Sequence, residues 1–262
     1  MTRRKPWTGM AGRPVSRWLG VAIQRVVPIP VLLAIWQAAA PWVGPDALSP
    51  PWATFVALTR MLGTAVFWGH IAETGSACSI ALAIAIVAGL AIGLAIGLHD
   101  FSARVVEPFL VAANAVPKIV LYPIVLLIFG IGMPAKVAFG AMHGIVPVAI
   151  FAIAGCRGVP PVLLRTARTM RMGWHETIRA IVLPAALPDI FTGIRIGASL
   201  TLIGTLLGEM FGSQRGLGFL LMTAIGTQNT ETIMAVTLLL AIFAAGLSTA
   251  LLAVDHRLRH GG

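Results

Sequence analysis

Residues 74–99 read TGSACSIALAIAIVAGLAIGLAIGLH, twenty-six positions without a charge between Glu73 and Asp100. An α-helix rises about 1.5 Å per residue, so about 20 apolar residues cross a hydrocarbon core about 30 Å thick. The stretch is therefore a helix long enough to span a bilayer. Gly89, Gly93 and Gly97 recur at every fourth position and flatten one face of it. In lipid such a face lets another helix approach closely, either within the chain or on a second copy.

The same rule applied along the chain finds charge-free stretches at 26–45, 137–156 and 232–254. Two further stretches carry one cation each, 109–129 with Lys118 and 190–208 with Arg195. The fold class expected is all-α, a polytopic membrane protein with six transmembrane helices. Composition agrees: 58% of the residues are hydrophobic and 11% charged, against about 25% charged in soluble domains. So apolar a chain excludes intrinsic disorder. Two separated cysteines, Cys78 and Cys156, exclude a disulfide scaffold, and the lack of a CxxC pair argues against a zinc or redox site.

Orientation follows from where Lys and Arg fall. Arg3, Arg4, Lys5, Arg13, Arg17 and Arg25 precede the first span, Arg104 lies in the second loop, and Arg257 and Arg259 end the chain. Arg157, Arg165, Arg168, Arg171 and Arg179 occupy the fourth loop, which makes fourteen cations on one side against Arg60 and Arg215 on the other. Both termini and loops two and four are expected in the cytoplasm. The net charge of +10 is thus a matter of topology and calls for no nucleic acid. The divisions expected are a cytoplasmic segment 1–25, a transmembrane domain 26–254 with a cytoplasmic loop 157–189, and a cytoplasmic tail 255–262. A basic start before an apolar run can be a signal peptide, but Pro28 and Pro30 interrupt this run and no cleavage pattern follows. It reads as a retained first helix, and Arg3-Arg4 lacks the flanks of a twin-arginine signal.

Loop 157–189 opens with Gly158-Val159-Pro160-Pro161, which ends the preceding helix. In the next stretch Leu163, Ala167 and Met170 share one side of a short helix, and Arg165, Arg168 and Arg171 fall largely elsewhere. A second short helix is expected from Trp174, closed by Pro184. Such a pair either lies on anionic headgroups or docks a cytoplasmic partner.

The stretch Arg165–Pro184 resembles the cytoplasmic signature of inner-membrane permeases of ATP-binding-cassette importers, which runs Glu-Ala-Ala, three residues, Gly, and about nine residues before Ile-x-Leu-Pro. Ile181-Val182-Leu183-Pro184 matches its end. Val116-Pro117-Lys118, Phe129-Gly130-Ile131-Gly132, Gly193-Ile194-Arg195, Glu209-Met210 and Gly216-Leu217-Gly218 are similar to the nitrate/sulfonate/taurine branch. Counted back from Pro184, the family's Glu falls on Arg165, its first Ala on Thr166 and its Gly on Arg171. Ala167 is kept, and a glycine at Gly173 predicts a turn displaced by two residues. The resemblance implies a type I importer permease-like bundle in the inner membrane of a bacterium. It implies that Ala167, Arg168, Thr169, Met170, Gly173, Trp174, Leu183 and Pro184 couple to an ATPase. The partners implied are two ATP-binding-cassette ATPase subunits, a second permease copy forming a homodimer, and an extracytoplasmic solute-binding protein. The sequence contains no Gly-x-x-x-x-Gly-Lys-Ser/Thr loop. ATP and Mg are therefore expected on the partner ATPase, with no cofactor in this chain.

Polar residues within the spans mark a candidate translocation path. An intramembrane lysine costs about 2.5–3.5 kcal/mol on insertion scales, and Lys118 lies too deep in its predicted span to snorkel easily. With Asn114 beside it and Pro117 and Pro123 around it, it reads as a path wall. Ser199, Thr201, Thr205 and Glu209 follow on span five, although Thr hydroxyls also bond carbonyls one turn back. Lys118 and Arg195 raise the potential for an anion such as a sulfonate, taurine or nitrate; Arg195 is also close enough to the headgroups to snorkel. Lys136 is expected at the outer interface without a function, and His143 as a buried hydrogen-bonded residue. A secondary transporter would need carboxylates within the apolar middle of a span, where none is expected. A hydrolase lacks a site: Arg179 replaces the second histidine of a His-Glu-x-x-His helix, and no Gly-x-Ser-x-Gly elbow occurs.

Overall fold

The computed structural model describes residues 27–44 and 47–260; the expected segment 1–25 with its cations lies outside them. The described residues form helices α1 (Pro28–Val43), α2 (Pro51–Leu62), α3 (Ala65–Gly97), α4 (Asp100–Ala115), α5 (Tyr122–Phe129) and α6 (Met133–Arg157). These are followed by α7 (Pro161–Thr169), α8 (Trp174–Gly212), α9 (Leu217–Gly226) and α10 (Thr230–His260). Among the described residues there is no strand.

The bundle is built around α6, whose heaviest packing is with α8 and then α3. Small residues make this possible. A Cβ on Gly93 would come within 2.5 Å of Ala152 Cβ and 2.7 Å of Ala149 O. Gly89 meets Val148 and Gly97 meets Cys156, so α3 runs parallel to α6. On the other flank Gly193, Gly197, Gly204 and Gly208 meet Phe151, Val148, His143 and Lys136 in reverse order, which sets α8 antiparallel. Of the two uses open to the glycine stripes, packing within the chain is the one observed. Helix α10 closes the assembly against α2, α8 and α9.

Among the described residues four helices, α3, α6, α8 and Thr230–Ala253 of α10, are long and apolar enough to cross a membrane, and there is a fifth crossing if a bent pair counts as one. The expected six is therefore not reached by length alone. Helix α1 has 16 residues, or about 24 Å at 1.5 Å each. The expected span 109–129 is broken, with an 84° bend between Asp100–Ala115 and Lys118–Phe129. Pro117 is the cause: it pushes Val116 into an extended conformation (φ −67°, ψ 131°), and the chain resumes as a single 3-10 turn, Lys118–Leu121.

The expected closure at Pro184 is also corrected. Helix α8 starts at Trp174 and runs through Pro184 and Pro188 to Gly212. A π turn over Ile178–Val182 precedes Pro184, with the Leu183 N–H bonded to Ile178 O. The extra residue in that turn takes up the register at which a proline has no N–H to give. The segment 157–189 is thus one short helix, one turn and the first four turns of a long bundle helix.

Candidate functional site

Two ends of the bundle carry the polar chemistry. At the elbow end, α7 hangs between the last turn of α6 and the first of α8. Ala167 is its buried residue, while Arg168, Thr169, Met170, Gly173 and Trp174 are exposed, Leu183 is half-buried and Pro184 exposed. The outer surface is part apolar: Met170 is 69% and Trp174 55% exposed. The turn is rigid. The Met172 N–H bonds Ala167 O at 3.0 Å and the Arg171 N–H bonds Arg168 O at 3.1 Å, the double closure of a Schellman cap. Its left-handed residue is Arg171, at φ +53°.

The expected two-residue shift of the turn is therefore not observed. Arg171 adopts the glycine conformation itself, and Gly173 is extended at φ −67°, ψ 160°. A left-handed non-glycine residue is strained by about 1–2 kcal/mol. Arg171→Gly should relieve this and, after the entropy of glycine is subtracted, stabilise the chain by about 0.5–1 kcal/mol. A thermal-unfolding midpoint above that of the parent in detergent checks it. Beside the elbow, Arg157 pairs with Glu107 and lies 4.0 Å from Asp100, which also binds Arg104. These contacts tie α4 to the end of α6.

At the opposite end lies a buried ion cluster that the sequence reading missed. Lys136, expected at the outer interface, is fully buried on the first turn of α6. Its ammonium donates to Glu73 Oε1 of α3 at 2.8 Å, to Glu209 Oε1 of α8 at 3.5 Å, and to Ser213 Oγ and Arg215 O, both at 3.4 Å. Glu209 is fully buried too. It accepts from Thr74 Oγ1 (2.8 and 3.0 Å) and from the Gly218 N–H (3.0 Å). Glu209, expected on span five as part of a path, thus lies buried near the end of α8, surrounded by the ammonium of Lys136, a hydroxyl and an amide. The partners are 63 and 73 residues from Lys136 in sequence, so no local spacing reveals them. The available signal was topological: Glu73 and Lys136 flank two spans that run in the same direction.

The residues expected along a path are not gathered in one place. Lys118 opens the 3-10 turn that follows the break, half-buried, with its ammonium 3.2 Å from Asn114 Oδ1 and 3.4 Å from Asn114 O. Asn114 is exposed. Ser199 is half-buried and donates to Arg195 O at 3.3 Å. Thr201 and Thr205 are fully buried, packed into the notches left by Gly144 and Gly140 of α6. His143 is buried, with Nδ1 2.9 Å from Phe139 O.

Comparison with known proteins adds a family. Residues 85–260 match the binding-protein-dependent transport system inner membrane component family. The chain is similar to the taurine transport system permease protein TauC of Escherichia coli, 29% identical over 98% of this chain and 94% of that protein. It is also similar to the riboflavin transport system permease protein RibX of Chloroflexus aurantiacus, 32% identical over 88% of this chain and 87% of that one. Its fold resembles a chain of the inward-facing MetNI methionine ABC transporter, with a TM-score of 0.64 and 20% identity over 72% of this chain and 94% of that chain.

Proposed function

We propose, from the premise that the chain belongs to the binding-protein-dependent transport system inner membrane component family, that its elbow end is where an ATPase subunit docks. The protein is the membrane-spanning permease subunit of an ATP-driven importer and not an enzyme. One observation carries the docking assignment: a rigidly capped short helix with an exposed, part-apolar face, joined at both ends to the helices that form the core of the bundle. A push on Arg168–Met170 passes through the Schellman turn into α8, and from α8 into α6. Two ATPase subunits carrying ATP and Mg, a second copy of this chain, and a solute-binding protein at the end with Lys136 complete the working assembly. The elbow end then faces the cytoplasm, in keeping with Arg104, Arg157, Arg165, Arg168, Arg171 and Arg179 at that end, and α1 serves as the sixth crossing. Co-purification with an ATP-binding-cassette ATPase, followed by vanadate-sensitive hydrolysis stimulated by loaded binding protein, tests this. Failure of the two chains to co-purify contradicts it.

The solute class is a small organic anion such as a sulfonate. Lys118 supports this, because among the described residues the contacts of its ammonium are with the amide and carbonyl oxygens of Asn114 and with no carboxylate, which leaves its charge for a ligand. A hydrogen bond to a charged group contributes about 1.5–3 kcal/mol. Lys118→Ala should therefore raise the half-saturation for uptake of taurine about ten-fold or more, with Lys118→Arg close to the parent. Equal half-saturation in all three would remove Lys118 from the path.

A further inference from the structure

Three consecutive amides open α9, and each is held by a side chain from another helix. The Gly216 N–H donates to His70 Nδ1 at 3.0 Å, the Leu217 N–H to Thr74 Oγ1 at 2.8 Å, and the Gly218 N–H to Glu209 Oε2 at 3.0 Å. The first residues of a helix have no main-chain partner for their amides. Here α3 supplies two acceptors four residues apart and α8 supplies the third. Glu209 also sets its negative charge at the positive end of the α9 dipole, while Lys136 balances it from the far side. The geometry requires glycine on both sides of Leu217. Gly216 has φ +118°, and a Cβ there would overlap the Glu209 carboxylate. A Cβ on Gly218 would come within 2.5 Å of Leu206 O. Glu209-Met210 and Gly216-Leu217-Gly218, separate in the sequence, are thus two halves of one cradle.

Helix α9 has ten residues, about 15 Å, and does not reach across a membrane. It lies against α8, α10 and α3 at the end opposite the elbow, with Leu217 and Ala224 buried beneath it. We infer that His70, Thr74 and Glu209, counter-charged by Lys136, are positioning residues that latch α9 across this end of the bundle. Leu217, Leu220 and Leu221 also seat α9 in an apolar cluster with Phe67 and Val236; the latch fixes its N-terminal end, so loss of a latch bond raises the fraction of time α9 is lifted. The latch does not depend on the permease reading, and its test needs neither ATPase nor solute.

The test measures maleimide labelling of Ala224→Cys in the full chain in lipid nanodiscs, resolved by peptide mass from native Cys78 and Cys156. Ala224 is 4% exposed, so its labelling rate follows the fraction of time α9 is lifted. Thr74→Val removes the hydroxyl that accepts from Leu217 and donates to Glu209; labelling should accelerate about ten-fold. Thr74→Ser keeps the hydroxyl and should restore the slow rate. His70→Asn keeps an acceptor near the Nδ1 position and should stay slow, whereas His70→Phe should be fast. The assignment is overturned if Thr74→Val labels no faster than the parent, or if Thr74→Ser labels as fast as Thr74→Val. It is also overturned if Cys156, at the elbow end, gains reactivity in step with Ala224→Cys, because the bundle would then be loosening as a whole.

Discussion

Lys136→Met should destabilise the folded chain by about 3–5 kcal/mol, the range for removing one partner of a buried ion pair. Methionine fills nearly the same space, so the loss is electrostatic. Glu209, with no exposed surface, keeps its bonds from Thr74 and Gly218 but has no cation beside it. Glu73 retains a half-exposed carboxylate and suffers less. The double variant Lys136→Met with Glu209→Gln removes both buried charges and should recover much of the loss, since neutral polar groups demand far less than an uncompensated charge. Thermal survival of monodisperse protein in detergent should rank parent, double variant, single variant. A single variant as stable as the double would show that the ammonium does not hold the carboxylate in place. By contrast, Arg104→Ala should leave the melting midpoint at the parent's value, because that ion pair is 68% and 65% exposed and screened by solvent.

Replacing Arg168 and Met170 together by aspartate should reduce ATP-driven uptake about a hundred-fold while leaving the bundle folded. Both side chains are exposed and their loss opens no cavity in the core. Central contacts of a protein interface contribute about 2–4 kcal/mol each, enough to detach the elbow from an ATPase groove. Two measurements separate this from misfolding: the detergent-phase melting midpoint, expected to match the parent, and uptake, expected near background. Parental uptake in the double variant would place force transmission elsewhere on the chain.

The long crossings were legible because an uninterrupted apolar run over about 20 residues admits few other structures. That is why 137–156 and 232–254 lie inside α6 and α10. The bend at Val116-Pro117 is written in the proline, but its consequence for Lys118 was not. A lysine reckoned as deep in a straight helix stands instead at a sharp corner. Pro184 misled for the opposite reason, since a π turn one residue upstream lets the helix continue through it. Arg171 kept a glycine conformation that its side chain disfavours, so composition at that position pointed to the wrong turn. The ion cluster depended on contacts between α3, α6 and α8 that exist after the helices are packed. Only the direction of the spans, and not any spacing within one of them, could have brought Glu73 and Lys136 together.

The most direct measurement of the account is uptake of radiolabelled taurine, in the presence of binding protein, into sealed vesicles holding this chain with or without an ATP-binding-cassette ATPase. The account predicts accumulation against a gradient when ATPase and ATP are both present, and none with this chain alone. Accumulation by the chain alone, driven by a proton or sodium gradient with no ATP, would contradict it.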